Sequence, residues 1–254
     1  TKITLRLVPK PPAQETLLAT FGGIQGAVDA VTALIARRVV PAAVELIDRD
    51  SLDAVQRHTG VALVPPGTGA VLIVESDGTP AAVDEEIARV EEACRSVGAV
   101  SLTRATDAEE RERIWSVRRA VSLALKATGL HKVNHDVVVP RGRVPQLFEV
   151  IAGLKRQFGL PVASFGHAGD GNIHVNLMVK PGNDDEMARA HAAERMLFER
   201  VVALDGSISG EHGIGFAKKP YIGLELSAEE IALMTRVKAA FDPNNILNPG
   251  KIFP

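Results

Sequence analysis

The sequence predicts an α+β domain: two ferredoxin-like (split βαβ) halves with antiparallel sheet, a long linking helix, and a C-terminal helix and loop. Three observations predict it. Up to about residue 105 the segments read β-α-β-(short α)-β-α-β. From about 133 to 210 they read β-α-β-β-α. Between them, residues 107–126 read as one helix, charged at its start and apolar later.

Each element has its own reason. Ile3-Thr4-Leu5-Arg6-Leu7 alternates apolar and polar, as a half-buried strand does, and Pro9, Pro11 and Pro12 would end it. Ala27 to Val39 carries Val28, Val31, Leu34 and Ile35 at helical spacing. Ala43 to Ile47 reads as a short strand, and Ser51 to His58 as a short helix with Ser51 at its N-cap. Gly69 to Glu75 is an apolar run suited to a buried strand. Val83 to Val97 is a helix and Ala99 to Thr103 a strand. In the second half, Asp136 to Val139 is a strand stopped by Pro140, and Val144 to Phe158 a helix. Val162 to Phe165 and Ile173 to Val179 are strands around a glycine-rich turn. Asp184 to Ala203 and Ser227 to Phe241 are helices, and the segment 227–254 ends in a turn-rich tail. Asp84-Glu85-Glu86 and Asp107 to Glu110 stand at helix starts, where acidic groups suit the macrodipole.

Composition narrows the function. The 254 residues are 46% hydrophobic and 24% charged, an ordinary globular balance that excludes disorder. A net charge of −2 lacks the basic footprint of a nucleic-acid binder. One cysteine, Cys94, excludes an internal disulfide and fits a helix core position. No apolar run reaches the roughly 18 residues of a membrane span. A cytoplasmic place is expected, with attachment to a membrane surface through a partner subunit left open. The chain opens on Thr1, without Met, inside a strand-like segment, so a piece of a longer protein is expected.

The chemistry concentrates in two glycine-rich segments. The first is Gly166-His167-Ala168-Gly169-Asp170-Gly171-Asn172-Ile173-His174-Val175-Asn176. His174 and Asn176 are two apart on a strand and share a face, and His167 can meet them across the turn. The second is Ser209-Gly210-Glu211-His212-Gly213-Ile214-Gly215. Two imidazoles and a carboxylate from separate loops can form a 2-His-1-carboxylate metal site with open positions. His-x6-His is not a classical metal-ligand spacing, and the alternative is a β-hairpin with glycine turn chemistry and hydrogen-bonded histidines. HExxH, Walker A, GxSxG and CxxC patterns are absent, and no GxGxxG follows a first strand.

GHAGDGNIH, SGEHGIG and the ending FDPNNILNPGK together resemble the C-terminal domain of FAD-linked oxidases. This is the vanillyl-alcohol-oxidase-like branch with D-lactate dehydrogenase, the glycolate oxidase GlcD-type subunit and D-2-hydroxyglutarate dehydrogenase. The opening LRLVPKPP looks like the family's junction out of its FAD-binding domain, and Ile114-Trp115-Ser116-Val117-Arg118 like its W-x-x-R segment. The resemblance thus runs over the whole chain. It implies that His167, His174 and Glu211 hold a divalent metal (Zn, Mn or Fe) and that His212 is the catalytic base. It implies that Arg118 grips a substrate carboxylate and that Asn176 contacts substrate. Asn248 and Lys251 would lie near the flavin. Some relatives carry a lysine where this chain has Asn134, so Lys132 is a candidate substitute and the substrate's distal group is in question. An FAD-binding domain of about 200 residues would precede this region and hold most of the FAD. The implied substrate is a small 2-hydroxy acid, and a homodimer or other oxidase subunits are the partners to expect. The electron acceptor is not readable.

Two rival readings use the same residues: a metal-dependent hydrolase on the His-His-Glu site, active without flavin, and a non-catalytic ferredoxin-like module. His58, His131 and His191 are expected at the surface, His135 as a structural residue, and Lys218 and Lys219 at the surface or in a lid. Trp115, three residues before Arg118, is expected to support the guanidinium by stacking.

Overall fold

The computed structural model describes residues 2–60, 62 and 64–253. The first half comprises β1 (Ala13–Phe21), α1 (Ile24–Ala36), β2 (Ala43–Asp48), α2 (Arg49–Thr59), β3 (Ala70–Gly78), α3 (Pro80–Ser96) and β4 (Ser101–Arg104). Helix α4 (Ala108–Ala127) leads into β5 (His131–Val138), α5 (Val144–Phe158), β6 (Val162–His167), β7 (Asn172–Val179) and α6 (Asp184–Ala203). A short turn, α7 (Ile222–Glu225), precedes α8 (Ala228–Phe241).

All seven strands join in one antiparallel sheet, ordered β4-β1-β3-β2-β6-β7-β5. The first four stand in the 4-1-3-2 order of a split βαβ unit. The second half repeats that order with three strands, and a bridge from Ser207 to Val138 takes the place of a fourth. The halves meet where β2 pairs with β6, Glu45 opposite His167 and Ile47 opposite Phe165.

The two faces of the sheet differ. Helices α1, α3, α5 and α6 bury one face in a large core that includes Leu17, Leu46, Leu72, Ile173, Val175 and Phe198. Helices α2 and α4 cover part of the other, over Leu18, Ile47, Ile73 and Phe165. Strand alternation then places Glu45, His167, His174, Asn176, Asp136, Asn134 and Lys132 on that second face.

Several boundaries depart from the sequence reading. Residues 3–7 form no strand, and Ile3, Leu5 and Leu7 are exposed. The first strand starts at Ala13, after the prolines, because Pro11 and Pro12 lack the N–H groups that the β1–β3 ladder needs from its first pair onward. The N-cap of α2 is Asp48, whose carboxylate accepts from the Ser51 amide at 2.9 Å; Ser51 is already inside the helix. Helix α3 starts at Pro80, in the first turn behind a Thr79 cap. Strand β5 begins at His131, five residues before the apolar pattern does.

Candidate metal and substrate site

The turn between β6 and β7 is tight because glycine allows it. Gly171 has φ +79°, and a Cβ there would stand 2.0 Å from the carbonyl oxygen of Val139. Gly166 has φ +152°, and its Cβ would meet the Asn172 carbonyl at 2.5 Å. Both positions exclude a side chain. The turn leaves His167 at the end of β6, while His174 stands between Phe165 of β6 and Asp136 of β5.

The 209–215 loop brings Glu211 and His212 to them. A single oxygen of Asp136, Oδ2, accepts the Glu211 amide at 2.7 Å and the His212 amide at 2.8 Å. Asp136 is fully buried. Burial alone would raise its pKa, but those two amides and the Lys218 ammonium hold it below the ordinary carboxylate range. Lys218 is itself buried and donates to the Asp136 carbonyl at 2.8 Å, so it is not the surface residue that the sequence suggests.

His167, His174 and Glu211 converge. Their ligand atoms all lie within 4.8 Å of one another. Glu211 Oε1 is 4.0 Å from His167 Nε2 and 3.6 Å from His174 Nε2. Metal–ligand bonds of about 2.0–2.2 Å put adjacent ligands roughly 3–3.6 Å apart, so a small contraction would seat one ion. Burial pushes His174 down to about 4, which leaves its imidazole neutral and its lone pair free at neutral pH. The His167 pKa is raised, first by its hydrogen bond with Glu45. The donor set therefore fits a divalent ion.

The other expected residues are distributed around this cluster. The His212 ring stacks on His174 at 5.4 Å between centroids and is half exposed. Arg118, on α4, donates Nε–H to Glu45 Oε2 at 2.6 Å. Its guanidinium stacks on Phe165, 4.9 Å away, while the Trp115 indole donates to Glu75 at 2.8 Å. The stacking partner is thus Phe165, because α4 turns Trp115 toward β1 and β3. Asn176 is buried and committed within the sheet, donating to Ala163 O at 3.0 Å and accepting from Asn134 at 3.2 Å. The structure does not bring Lys132 to the cluster. It lies opposite Met178, four residues (roughly 13 Å) along β5 from Asp136, and donates to Ser122 at 2.8 Å. Asn248 is exposed, Lys251 is half-buried, and the two are bonded to each other at 2.9 Å. Their tail folds back on the loop beyond His212: the Ile252 amide donates to Gly215 O at 2.9 Å.

Two residues that contact the cluster escaped sequence reasoning, Glu45 and Asp136. Glu45 had a signal, a charged residue inside the otherwise apolar run Val44 to Ile47. His135 lies on the opposite face, buried against Phe198 and 3.5 Å from Glu194, as a structural residue should. His58, His131 and His191 are exposed, and Cys94 is core.

The paired split βαβ halves, with an open polar site at their seam, define a class of α+β domain. Residues 10–252 match the family described as FAD linked oxidases, C-terminal domain, and the chain belongs to that family. It is 36% identical over 253 residues to "Glycolate oxidase subunit GlcD" of Bacillus subtilis (strain 168), covering 100% of this chain and 54% of that protein. It is 33% identical over 256 residues to "Probable D-lactate dehydrogenase, mitochondrial" of Danio rerio, covering 99% and 50%. The chain thus spans about half the length of the curated relatives it matches. Its fold is shared with p-cresol methylhydroxylase with substrate bound, at TM-score 0.68 and 17% identity, over 96% of this chain and 53% of that one.

Proposed function

We propose that this chain is the substrate- and metal-binding part of a flavin-dependent 2-hydroxy-acid dehydrogenase or oxidase of the D-lactate or glycolate type. The observation that carries the reading is the convergence of His167, His174 and Glu211 on one point. The names of the relatives support the substrate class. His167, His174 and Glu211 would hold a divalent ion, Zn, Mn or Fe, whose chemistry when bound is Lewis acidity at a hydroxyl oxygen. FAD, when bound, supplies the acceptor for the hydride of the substrate α-carbon. Asn248 and Lys251 would face it: their amide and ammonium stand on the tail beside the His212 loop and suit its polar edge.

The chain's own residues do the rest. His212 takes the hydroxyl proton at a ring nitrogen, at the rim of the cluster where substrate enters. Arg118 has Nε committed to Glu45, which leaves its two terminal nitrogens for the acid's carboxylate. Asn176 would act through the sheet, since its amide already has partners within it. Lys132 is too far along β5 for a short acid bound at the cluster, and it awaits a longer substrate. Other oxidase subunits, or a second copy, are the partners this reading carries. No helix among the described residues is long and apolar enough to cross a membrane.

The test uses the full-length protein that contains this chain. D-lactate or glycolate should bleach its flavin and reduce an artificial acceptor, and His174→Ala or a chelator should abolish both. Flavin that no 2-hydroxy acid bleaches would refute the reading.

A further inference from the structure

We infer that Glu45 is a positioning residue that sets both the metal-facing nitrogen of His167 and the direction of the Arg118 guanidinium. The inference rests on the metal and substrate reading given above. Glu45 stands on β2 at the seam between the two halves, directly opposite His167 on β6. Its carboxylate is buried at 4% exposure, in a strand whose neighbours Val44 and Leu46 face the large core. A lone carboxylate there would be costly, and each of its oxygens has a separate partner. Oε1 is hydrogen-bonded to His167 Nδ1, and Oε2 accepts from Arg118 Nε at 2.6 Å.

This double pairing has a directional consequence. With Nδ1–H held by Glu45, the His167 ring presents Nε2, with its lone pair, to Glu211 Oε1 and the metal position. The same carboxylate fixes the Arg118 fork from its Nε side, while Phe165 supports the plane. Glu45 therefore joins the metal position to the carboxylate grip in one rigid unit. A side chain that merely tied α4 to the sheet would affect neither metal affinity nor substrate grip separately from folding.

The test compares wild type, Glu45→Gln and Glu45→Asp in the full-length protein, stripped by chelator and titrated with Zn(II) and Mn(II) by calorimetry. Circular dichroism and thermal unfolding report folding, and Glu45→Asp keeps the charge should Glu45→Gln fail to fold. Wild type should bind one ion. The variants should bind it about 10–100-fold more weakly. At saturating metal, kcat should recover while KM for the hydroxy acid stays raised, because Arg118 remains unaligned. A wild type that binds no ion overturns the metal reading, and this inference with it. A wild type that binds while both folded variants match it in affinity and KM overturns the role of Glu45 alone.

Discussion

Asp136→Ala should release the 209–215 loop while leaving the sheet in place. Oδ2 of Asp136 accepts two backbone amides, those of Glu211 and His212, and the carboxylate is fully buried. Hydrogen bonds to a charged group contribute about 1.5–3 kcal/mol each. Water reaches the freed amides, since the Glu211 and His212 side chains are half exposed, so the lower end of that range applies. A loss of about 3 kcal/mol in the local opening energy follows. It corresponds to roughly 100-fold faster amide exchange. Asp136→Asn keeps one acceptor oxygen but removes the charge, and should cost about half as much, or roughly tenfold. The assay is hydrogen exchange of the peptide spanning 209–215, with the β5–β7 segment as internal reference. Exchange in Asp136→Ala within threefold of wild type, with the reference unchanged, would refute the claim that Asp136 holds the loop.

Two further perturbations test the frame around the site. Gly171→Ala forces a side chain to φ +79° and within 2.0 Å of the Val139 carbonyl. It should lower stability by more than about 3 kcal/mol, combining backbone strain with a lost turn; a thermal midpoint within 2 °C of wild type (about 0.5–1 kcal/mol) would contradict this. Burial pushes Asp48 from an ordinary 3.8 up to about 6. The folded chain thus holds this proton more tightly than the unfolded one, so the contribution is full below about pH 4 and is lost as pH rises through about 6, by roughly 3 kcal/mol. Asp136 and Glu45, held low, act with the opposite sign. Denaturant midpoints between pH 4 and 7 should therefore be compared between wild type and Asp48→Asn. A wild-type curve falling no more steeply than the variant's would show that Asp48 is not the group responsible.

How much of this was legible in the sequence depends on where each signal lies. Helices α5 and α6 coincide with their sequence-predicted bounds because period, cap and apolar stripe agree within one segment. The element order gave the two halves, and the glycine turns gave His167 and His174. Three features were hidden, two because they depend on partners far away in the chain and one because the strand's own pattern is polar. Residues 3–7 alternate as well as any strand, but alternation does not supply a neighbour, and the ladder belongs to residues 13–21. The start of β5 was missed because its second face is polar where the site opens, so Lys132, Asn134 and Asp136 break the apolar pattern. Glu45 and Asp136 act across 122 and 75 residues of sequence, on His167 and Glu211. The same argument says where else to look. A charged residue buried in a strand must be paired or be costly, and in this chain the buried carboxylates Glu45 of β2 and Asp136 of β5 stand on the strands that flank the His-His-Glu cluster.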